Sequence, residues 1–498
     1  MLKQLDNRSI PWFSIGMTSV FLLSFALRFW GLGRFNTLVF DEIYYAKFAN
    51  DYLTRTPFFN AHPPLSQYII ALGIWLGSHF PFGNDTVNGL TGSMRSPFSY
   101  RWLNALTGSF IPLVVAGIAY QLTHRRSYTF IASLFVAADG LFLVESRYAL
   151  NNVYLVILGL LGQWYLLMAL SAQKRKRWGW LALAGIWFGA SASIKWNGLW
   201  FLLGAYMIWA AAWLMRWARL AVKSHEPENS DLKVQKMPLQ NLTQLNFLHI
   251  LVNLAIIPAL VYSVIWIPHL ELNPKPNFWD MQKEILLYHE RIGDGPKVHP
   301  YCSRWYTWPL MLRPVAYFYE TARNTSDTVP AYPPLPAGVG KVIYDVHAMG
   351  NPALYLLSTA AIFLLLLLLA KRLFEGAGWK STPTASTWIL LYLVLNYLAN
   401  LLPWVPVTRC TFLYHYMGAS VFAALALAWI VDTWLHSFKP SLRGAGVTVI
   451  FVILLAFVFW MPIYLGLPLS AEEYQIRMIR IDIGWLPSWL QQWLPNWI

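Results

Sequence analysis

The sequence predicts an all-α polytopic membrane protein, on three observations. Of 498 residues, 57% are apolar and only 12% are charged, about half the charged share of a soluble globular chain. Phe, Trp and Tyr make up 16% of the chain, more rings than soluble domains of ordinary size would bury. The apolar residues are gathered in runs of about 20, which is the length of a membrane crossing.

Eleven such runs give eleven predicted transmembrane helices, in chain order. They cover residues 10–32, 102–123, 127–144, 151–172, 178–194, 197–215, 248–268, 348–370, 385–405, 411–431 and 445–466. The first run is too long for the core of a signal peptide and is expected to be retained. The apolar segment 65–80 starts after Pro63-Pro64, and it is expected to lie in the outer interface as a further, non-spanning helix.

Short basic loops predict the orientation. The clusters at 124–126, 174–177, 371–372 and 439–443 fall on one face, which the positive-inside rule makes cytoplasmic together with the N-terminus. The same rule accounts for the net charge of +14, so nucleic-acid binding is not expected. The C-terminus and two long loops, 33–100 and 269–347, are then on the outer face.

This topology predicts three units. Residues 1–268 form an N-terminal membrane module, 269–347 an outer loop, and 348–498 a C-terminal four-helix module with an amphipathic tail. In the tail Trp485, Trp489, Trp493 and Trp497 recur every four residues, as in a helix lying on a membrane. Cys302 and Cys410 both fall on the outer side, where a disulfide between the two loops is one of the alternatives.

The first outer loop carries the strongest chemical signal. Asp41 stands where a helix N-cap would, directly after the first helix and before Glu42. An ionised carboxylate at that position can cap the helix or act as a general base, and the sequence alone leaves both open. His62, held by Pro63-Pro64 in the same loop, is either structural or functional.

An ordered set of segments resembles the protein O-mannosyltransferases, members of the GT-C superfamily of membrane glycosyltransferases. Asp41-Glu42 and the His62-Pro63-Pro64-Leu65 turn come first. The others that match span nearly the whole chain: Tyr100-Arg101-Trp102, Ser146-Arg147-Tyr148, Ile194-Lys195-Trp196-Asn197, His299-Pro300-Tyr301-Cys302, Trp305-Tyr306-Thr307-Trp308, Gly350-Asn351-Pro352 and Phe412-Leu413-Tyr414-His415-Tyr416.

The resemblance implies inverting transfer of mannose from polyprenyl-phosphate-mannose to Ser or Thr hydroxyls of exported proteins. Asp41 would be the catalytic base, with Glu42 beside it orienting the base or the acceptor. Arg101, Lys195, Arg147 and Arg409 are expected to hold the donor phosphate, although cations at helix ends are also common membrane anchors. His62, Trp305, Trp308, His415 and Tyr416 are the expected substrate contacts, with anchoring as the alternative for the tryptophans.

Two positions depart from the family pattern. Asn152 stands where the family usually carries Asp, with Glu145 close by, which puts any metal or ion-pair role of that position in doubt. The loop from His269 to His347 is too short for the β-trefoil insertion of eukaryotic members, so the chain resembles the bacterial branch.

Other functions remain as alternatives. A lipid or glycan could replace the protein as acceptor, and a transporter would need charges at helix centres, for which Asp139 is the main candidate. No metal site is assigned and no cofactor is expected to be required. His62, His299 and His415 could nevertheless meet on the outer face, which leaves a divalent metal open. Membrane lipids are the other expected partners, and the sequence does not fix the oligomeric state.

Overall fold

The computed structural model describes residues 11–221, 238–322, 342–374, 384–481 and 493–498, and it is mostly helical. Within these ranges nine helices are long and apolar enough to cross a membrane. They are Trp12–Phe29, Pro97–Thr123, Asn152–Ser171, Trp196–Ala218, Phe247–Leu272, Pro352–Arg372, Ala385–Trp404, Leu413–Leu435 and Pro440–Leu465. Arg126–Ala137 and Gly140–Arg147, bent by 58° at Asp139, make a tenth span if counted as one. The mostly helical membrane fold is therefore confirmed.

The count of ten falls one short of the eleven predicted crossings because of one helix. The predicted segment 178–194 is helical as Lys174–Ala192, and its 19 residues are long enough to span, but the basic residues of its first turn make it less apolar than the other spans. It packs closely, since a Cβ at Gly185 would lie 1.9 Å from the Asn253 carbonyl oxygen. Small residues allow such close backbone approach between membrane helices.

Three shorter helices belong to the segments predicted to lie outside the spans: Glu42–Thr54, Leu65–Gly77 and Phe278–Arg291. Leu65–Gly77 has 13 residues, which is about 20 Å of helix and too short to cross a bilayer. Its Leu72 and Trp75 side chains are about half exposed. These features agree with the predicted interfacial helix.

A two-stranded antiparallel sheet was not predicted. Val315–Ala322 pairs with Val342–Ala348, with Val315 opposite Ala348. Every residue of the second strand is buried, and Ile343 also pairs with Leu469 after the last span. Both strands are short and come from the second long loop, and their pairing is decided by tertiary packing rather than by a local pattern, so the sequence did not reveal it.

A disulfide links two distant parts of the chain. Cys302, in the second long loop, is bonded to Cys410, which lies before the span Leu413–Leu435. This is the pairing that the sequence left open. In the C-terminal tail, Trp485 and Trp489 lie outside the described residues, and Trp497 is buried and donates to the Met311 carbonyl oxygen.

Candidate functional site

A cavity of about 380 Å³ lies where the first loop, the loop before Leu413–Leu435 and the second long loop meet. Its walls combine ionisable side chains with aromatic rings. The ionisable residues other than tyrosine are Asp41, His62, Lys195, His289, His299, Arg409 and His415. The sequence singled out six of these seven, all except His289.

Asp41 precedes the helix Glu42–Thr54, but its side chain makes no capping hydrogen bond. The capping alternative therefore does not hold for this carboxylate, which instead lines the cavity. Burial raises the pKa of Asp41 to about 6, against the opposing effect of the Lys195 charge. A carboxylate with that pKa is largely ionised at neutral pH and is a stronger base than an ordinary Asp.

The residue before Asp41 has an unusual backbone. Phe40 has φ of 51°, in the left-handed region that a non-glycine residue seldom adopts. Its ring stacks on Tyr317, with 4.1 Å between the ring centroids and 8° between the planes. The stacking holds Phe40 in this conformation and so determines where the chain presents Asp41.

Lys195 lies between the helix Lys174–Ala192 and the short turn of helix Trp196–Gly198, and it is buried. Its Nζ donates to Asn152 Oδ1 at 3.1 Å. The ammonium also lies 5.9 Å from the ring centroid of Tyr45 and 5.4 Å from that of Tyr414. Burial lowers the pKa of Lys195 to about 8, so it is still mostly protonated at neutral pH.

Asn152 connects Lys195 to a buried carboxylate. Its Nδ2 donates to Glu145 Oε2 at 3.1 Å, and the Tyr317 hydroxyl donates to Glu145 Oε1. Glu145 is therefore the carboxyl group of this network, while the direct partner of Lys195 is a neutral amide. A cation held by an amide rather than a carboxylate remains free to attract an anion in the cavity.

Arg101 and Glu42 do not lie where a phosphate ligand and a residue facing the acceptor were expected. Neither lines the cavity, and they form a buried ion pair with 2.7 Å between Arg101 Nη2 and Glu42 Oε2. Arg101 also donates to the carbonyl oxygens of Leu32, Phe35 and Thr37. Because its guanidinium is occupied by the first loop, Arg101 is not placed to bind a donor phosphate.

The carboxylate of Glu42 is likewise held by hydrogen bonds within the protein. It accepts from the backbone N–H groups of Val39 and Ala149, at 2.8 Å each, in addition to Arg101. The residue therefore fixes the loop that carries Asp41 and makes no contact with the cavity. Glu42 is therefore a positioning residue for the candidate base Asp41.

Arg147 also lies outside the cavity. It donates to the carbonyl oxygens of Leu27, Arg28 and Trp30, at the end of the helix Trp12–Phe29. A cation there satisfies carbonyls that have no partner within the helix. Arg147 is thus placed to anchor the first helix rather than to contact a phosphate.

The histidines and Arg409 also line the cavity. The rings of His62 and His289 are 5.2 Å apart, and His289 Nε2 is 3.0 Å from the Ala61 carbonyl oxygen. Burial lowers the pKa of His62 well below its usual range and that of His289 to about 4, so both are neutral. Arg409 is adjacent to the disulfide, and its Nη1 donates to the Cys410 carbonyl oxygen at 3.0 Å.

The remaining predicted substrate contacts, Trp305, Trp308 and Tyr416, lie outside the cavity. Trp308 is buried, stacks on His415 with 5.9 Å between the ring centroids, and donates to Ser303 Oγ. Tyr416 is buried against Tyr397, and Trp305 is half-buried. None of these three lines the cavity, although Trp308 supports His415, which does.

Sequence reasoning missed His289, Tyr44, Tyr45, Tyr288 and Tyr414 as individual lining residues. Tyr414 belongs to a segment already singled out, and His289 lies in the second long loop, where no local signal distinguishes it. His62, His299 and His415, for which the sequence left a meeting on one face open, all line this cavity. Among the described residues, no group of three or more His, Cys, Asp or Glu side chains could hold a metal ion.

Comparison with known proteins gives a consistent result. Residues 18–273 match the family model described as dolichyl-phosphate-mannose-protein mannosyltransferase. Residues 275–489 match the C-terminal four-transmembrane region of protein O-mannosyltransferase.

Curated relatives match over almost the whole chain. A polyprenol-phosphate-mannose–protein mannosyltransferase of Mycolicibacterium smegmatis is 25% identical, over 93% of this chain and 90% of its own length. One of Mycobacterium tuberculosis is 22% identical, over 97% and 92%.

Among solved structures, the Saccharomyces cerevisiae protein O-mannosyltransferase Pmt1-Pmt2 complex bound to the sugar donor aligns with a TM-score of 0.73. It is 14% identical, over 98% of this chain and 93% of that one. Apo ArnT of Cupriavidus metallidurans aligns with a TM-score of 0.51 at 11% identity, over 91% of this chain and 76% of that one. At these identities the structural likeness concerns the fold.

Proposed function

The chain belongs to the dolichyl-phosphate-mannose-protein mannosyltransferase family, and from this premise we propose that it transfers mannose from polyprenyl-phosphate-mannose to Ser or Thr hydroxyls of exported proteins. The observation that carries the proposal is the cavity, in which one uncapped carboxylate faces two cations that have no carboxylate within ion-pair distance among the described residues. Such a set suits a single displacement from a phosphate leaving group.

Asp41 is the proposed general base. As the acceptor oxygen attacks the anomeric carbon, its proton passes to Asp41, and the bond between that carbon and the phosphate oxygen breaks. The configuration at the sugar carbon inverts because the acceptor enters opposite the leaving group. No covalent sugar-enzyme intermediate is needed, so one carboxylate suffices.

Lys195 and Arg409 are the proposed donor-phosphate ligands. The leaving polyprenyl phosphate gains negative charge as the bond breaks, and fixed cations in a site of low dielectric stabilise that charge. Asn152 and Glu145 hold Lys195 in place without neutralising it directly. This replaces the four-cation site expected from the sequence with a two-cation site.

The histidines and the rings suit a sugar. His62 and His289, which are neutral, and His415 offer ring nitrogens that donate or accept hydrogen bonds to hydroxyl groups. The rings of Tyr45, Phe48 and Phe412 offer apolar faces to the pyranose and the first prenyl units.

The proposed orientation places this cavity outside the cytoplasm. The helix Lys174–Ala192 begins at the basic cluster 174–177 and ends beside Lys195, so the two are about 28 Å apart along the axis. The positive-inside rule puts the basic end in the cytoplasm, and the disulfide beside the cavity suits an oxidising compartment.

The test of the function uses purified protein, polyprenyl-phosphate-mannose and a Ser/Thr peptide, with mass spectrometry of the peptide. We expect one added hexose on a Ser or Thr side chain. A matched peptide with every Ser and Thr replaced by Ala should remain unmodified. Modification of the Ala peptide, or mannose found only on added lipid or glycan, would contradict the protein-acceptor proposal.

A further inference from the structure

Tyr317 contacts both halves of the candidate site without lining its cavity. It lies in the strand Val315–Ala322 of the second long loop, and only 6% of its surface is exposed. On one side its ring stacks on Phe40, the residue before Asp41. On the other side its hydroxyl donates to Glu145, which is part of the network around the cavity lysine. The proposed base and a proposed phosphate ligand are therefore both linked to this one tyrosine.

A β-bulge directs Tyr317 towards the site. The pairing of the two strands shifts by one residue between Ala316 and Phe318, so Tyr317 is an extra residue without a partner opposite it. Such a bulge interrupts the regular alternation of side chains and redirects the extra one. The next residue, Phe318, packs on Phe35, with 4.4 Å between the ring centroids. Two consecutive residues of the strand thus contact the loop that carries Asp41.

The ring of Tyr317 acts on the side of the base. Phe40 has φ of 51°, a backbone conformation that persists only where the surroundings hold it. Tyr317 covers one face of the Phe40 ring, with 8° between the two planes. Three other rings meet Phe40 edge-on, those of His299, Phe412 and Tyr414. Loss of the Tyr317 ring would therefore free the one face-to-face contact of Phe40 among the described residues, and with it the backbone that presents Asp41.

The hydroxyl of Tyr317 acts on the side of the phosphate ligand. Glu145 is buried, and its two carboxyl oxygens have one side-chain partner each, the Tyr317 hydroxyl and the Asn152 amide. The oxygen of the same amide accepts from Lys195 Nζ at 3.1 Å. Removing the hydroxyl leaves a buried carboxyl oxygen without its partner, which is costly and favours rearrangement of the group. The position of the lysine ammonium therefore depends on a hydroxyl that lies outside the cavity.

We propose that Tyr317 is a positioning residue for the transfer reaction: its ring holds the base Asp41 in place, and its hydroxyl holds the phosphate ligand Lys195. The inference rests on the proposed function, because both groups are those of the proposed displacement. Reacting groups must be held to within about 0.5 Å of the productive geometry by the residues behind them. Tyr317 supplies that support to two groups at once, from a strand of the second long loop.

Tyr317→Phe tests the hydroxyl alone, because the stacked ring remains. The kcat and the donor KM are measured with purified full-length protein, polyprenyl-phosphate-mannose and a saturating Ser/Thr peptide. We expect the donor KM to rise about tenfold, with a smaller change in kcat. Tyr319→Phe removes a hydroxyl from the same strand, where the native side chain is 51% exposed. This matched control should leave both constants unchanged.

Two further variants test the ring. Tyr317→Leu removes the ring together with the hydroxyl, and kcat should fall about 10²-fold below that of Tyr317→Phe, as expected for a displaced base. Phe40→Leu removes the same stack from the other side, so kcat should fall to a similar extent while the donor KM stays near that of the wild type. The double variant Phe40→Leu/Tyr317→Leu should have a kcat no lower than either single variant, because both lose one shared contact.

The outcomes separate positioning from packing. A rise in donor KM for Tyr317→Phe, with a fall in kcat only when the stack is removed, would support the proposal. Wild-type constants in Tyr317→Phe and Phe40→Leu would overturn it, and so would an equal effect of Tyr319→Phe. These variants decide the matter even if Tyr317→Leu does not fold. Absence of transfer in the wild type would instead contradict the proposed function, and the inference with it.

Discussion

At the scale of single residues, the candidate site could be predicted where the neighbouring sequence restricts a charged residue to the end of a helix. Lys195 has almost no loop on either side, so it had to lie at the end of two helices, and Asp41 follows directly on the first span. Their meeting in one cavity follows from the fold. His289 could not be found in this way, because a histidine in a short amphipathic helix such as Phe278–Arg291 has many alternative roles.

The pH dependence of transfer is a prediction at this scale. Asp41, with a pKa raised to about 6, accepts a proton only above that pH, so kcat/KM should fall as the pH drops through 6. Lys195, with a pKa lowered to about 8, loses its charge as the pH rises through 8, and donor binding should weaken there. A bell-shaped profile of kcat/KM with limbs near these values is expected.

Lys195→Arg separates the two limbs. An arginine stays protonated well above pH 8, so the alkaline limb should move upwards while the acid limb stays in place. The measurement is kcat/KM for the donor between pH 5 and about 10, with Lys283→Gln as a control that keeps the wild-type profile. An alkaline limb that is unchanged in Lys195→Arg would show that another group causes it.

At the scale of elements, the first loop shows what the sequence could not distinguish. Arg101 lies in the first turns of the helix Pro97–Thr123, and an arginine there has the same local sequence pattern whether it binds a phosphate or backbone carbonyls. The fold decides, because it places Leu32, Phe35 and Thr37 opposite its guanidinium. Glu42 beside Asp41 likewise had two possible directions, and only the tertiary contacts with Val39 and Ala149 define which one it takes.

Glu42→Gln tests the structural role of this ion pair. Gln keeps the shape but leaves the Arg101 charge buried without its partner, which typically costs about 3–5 kcal/mol. The free energy of unfolding in detergent should fall by about that amount, measured by thermal or chemical denaturation. Glu284→Gln, at an exposed position of the helix Phe278–Arg291, should change it by less than about 0.5 kcal/mol. Equal stability of the two variants would contradict the positioning role of Glu42.

At the scale of the whole molecule, hydropathy predicted most of the spans, because the bilayer imposes length and composition on each of them. The pairing of Val315–Ala322 with Val342–Ala348 was not predicted, because the two strands are separated by about 20 residues and their pairing is decided by tertiary packing. Whether the disulfide forms could not be decided from the sequence for the same reason. Cysteine count permits a bond, but only the fold brings Cys302 to Cys410.

The proposed orientation can be tested with introduced thiols. Both native cysteines are bonded, so an added cysteine provides the reactive thiol. Trp279→Cys, where the native ring is 72% exposed in the second long loop, should react with a membrane-impermeant maleimide in intact cells. Phe438→Cys, where the native ring is fully exposed beside the basic cluster 439–443, should react only after permeabilisation. The reverse pattern of labelling would show that the topology is the inverse of the one proposed.

The central claim is that the uncapped Asp41 is the general base, and Asp41→Asn tests it most directly. The amide keeps the size of the side chain but cannot accept the hydroxyl proton. We expect transfer from polyprenyl-phosphate-mannose to a Ser/Thr peptide to fall by about 10²–10⁴-fold, with donor affinity largely retained and Asp280→Asn, an exposed matched control, near wild type. Near-wild-type turnover of Asp41→Asn would contradict the account.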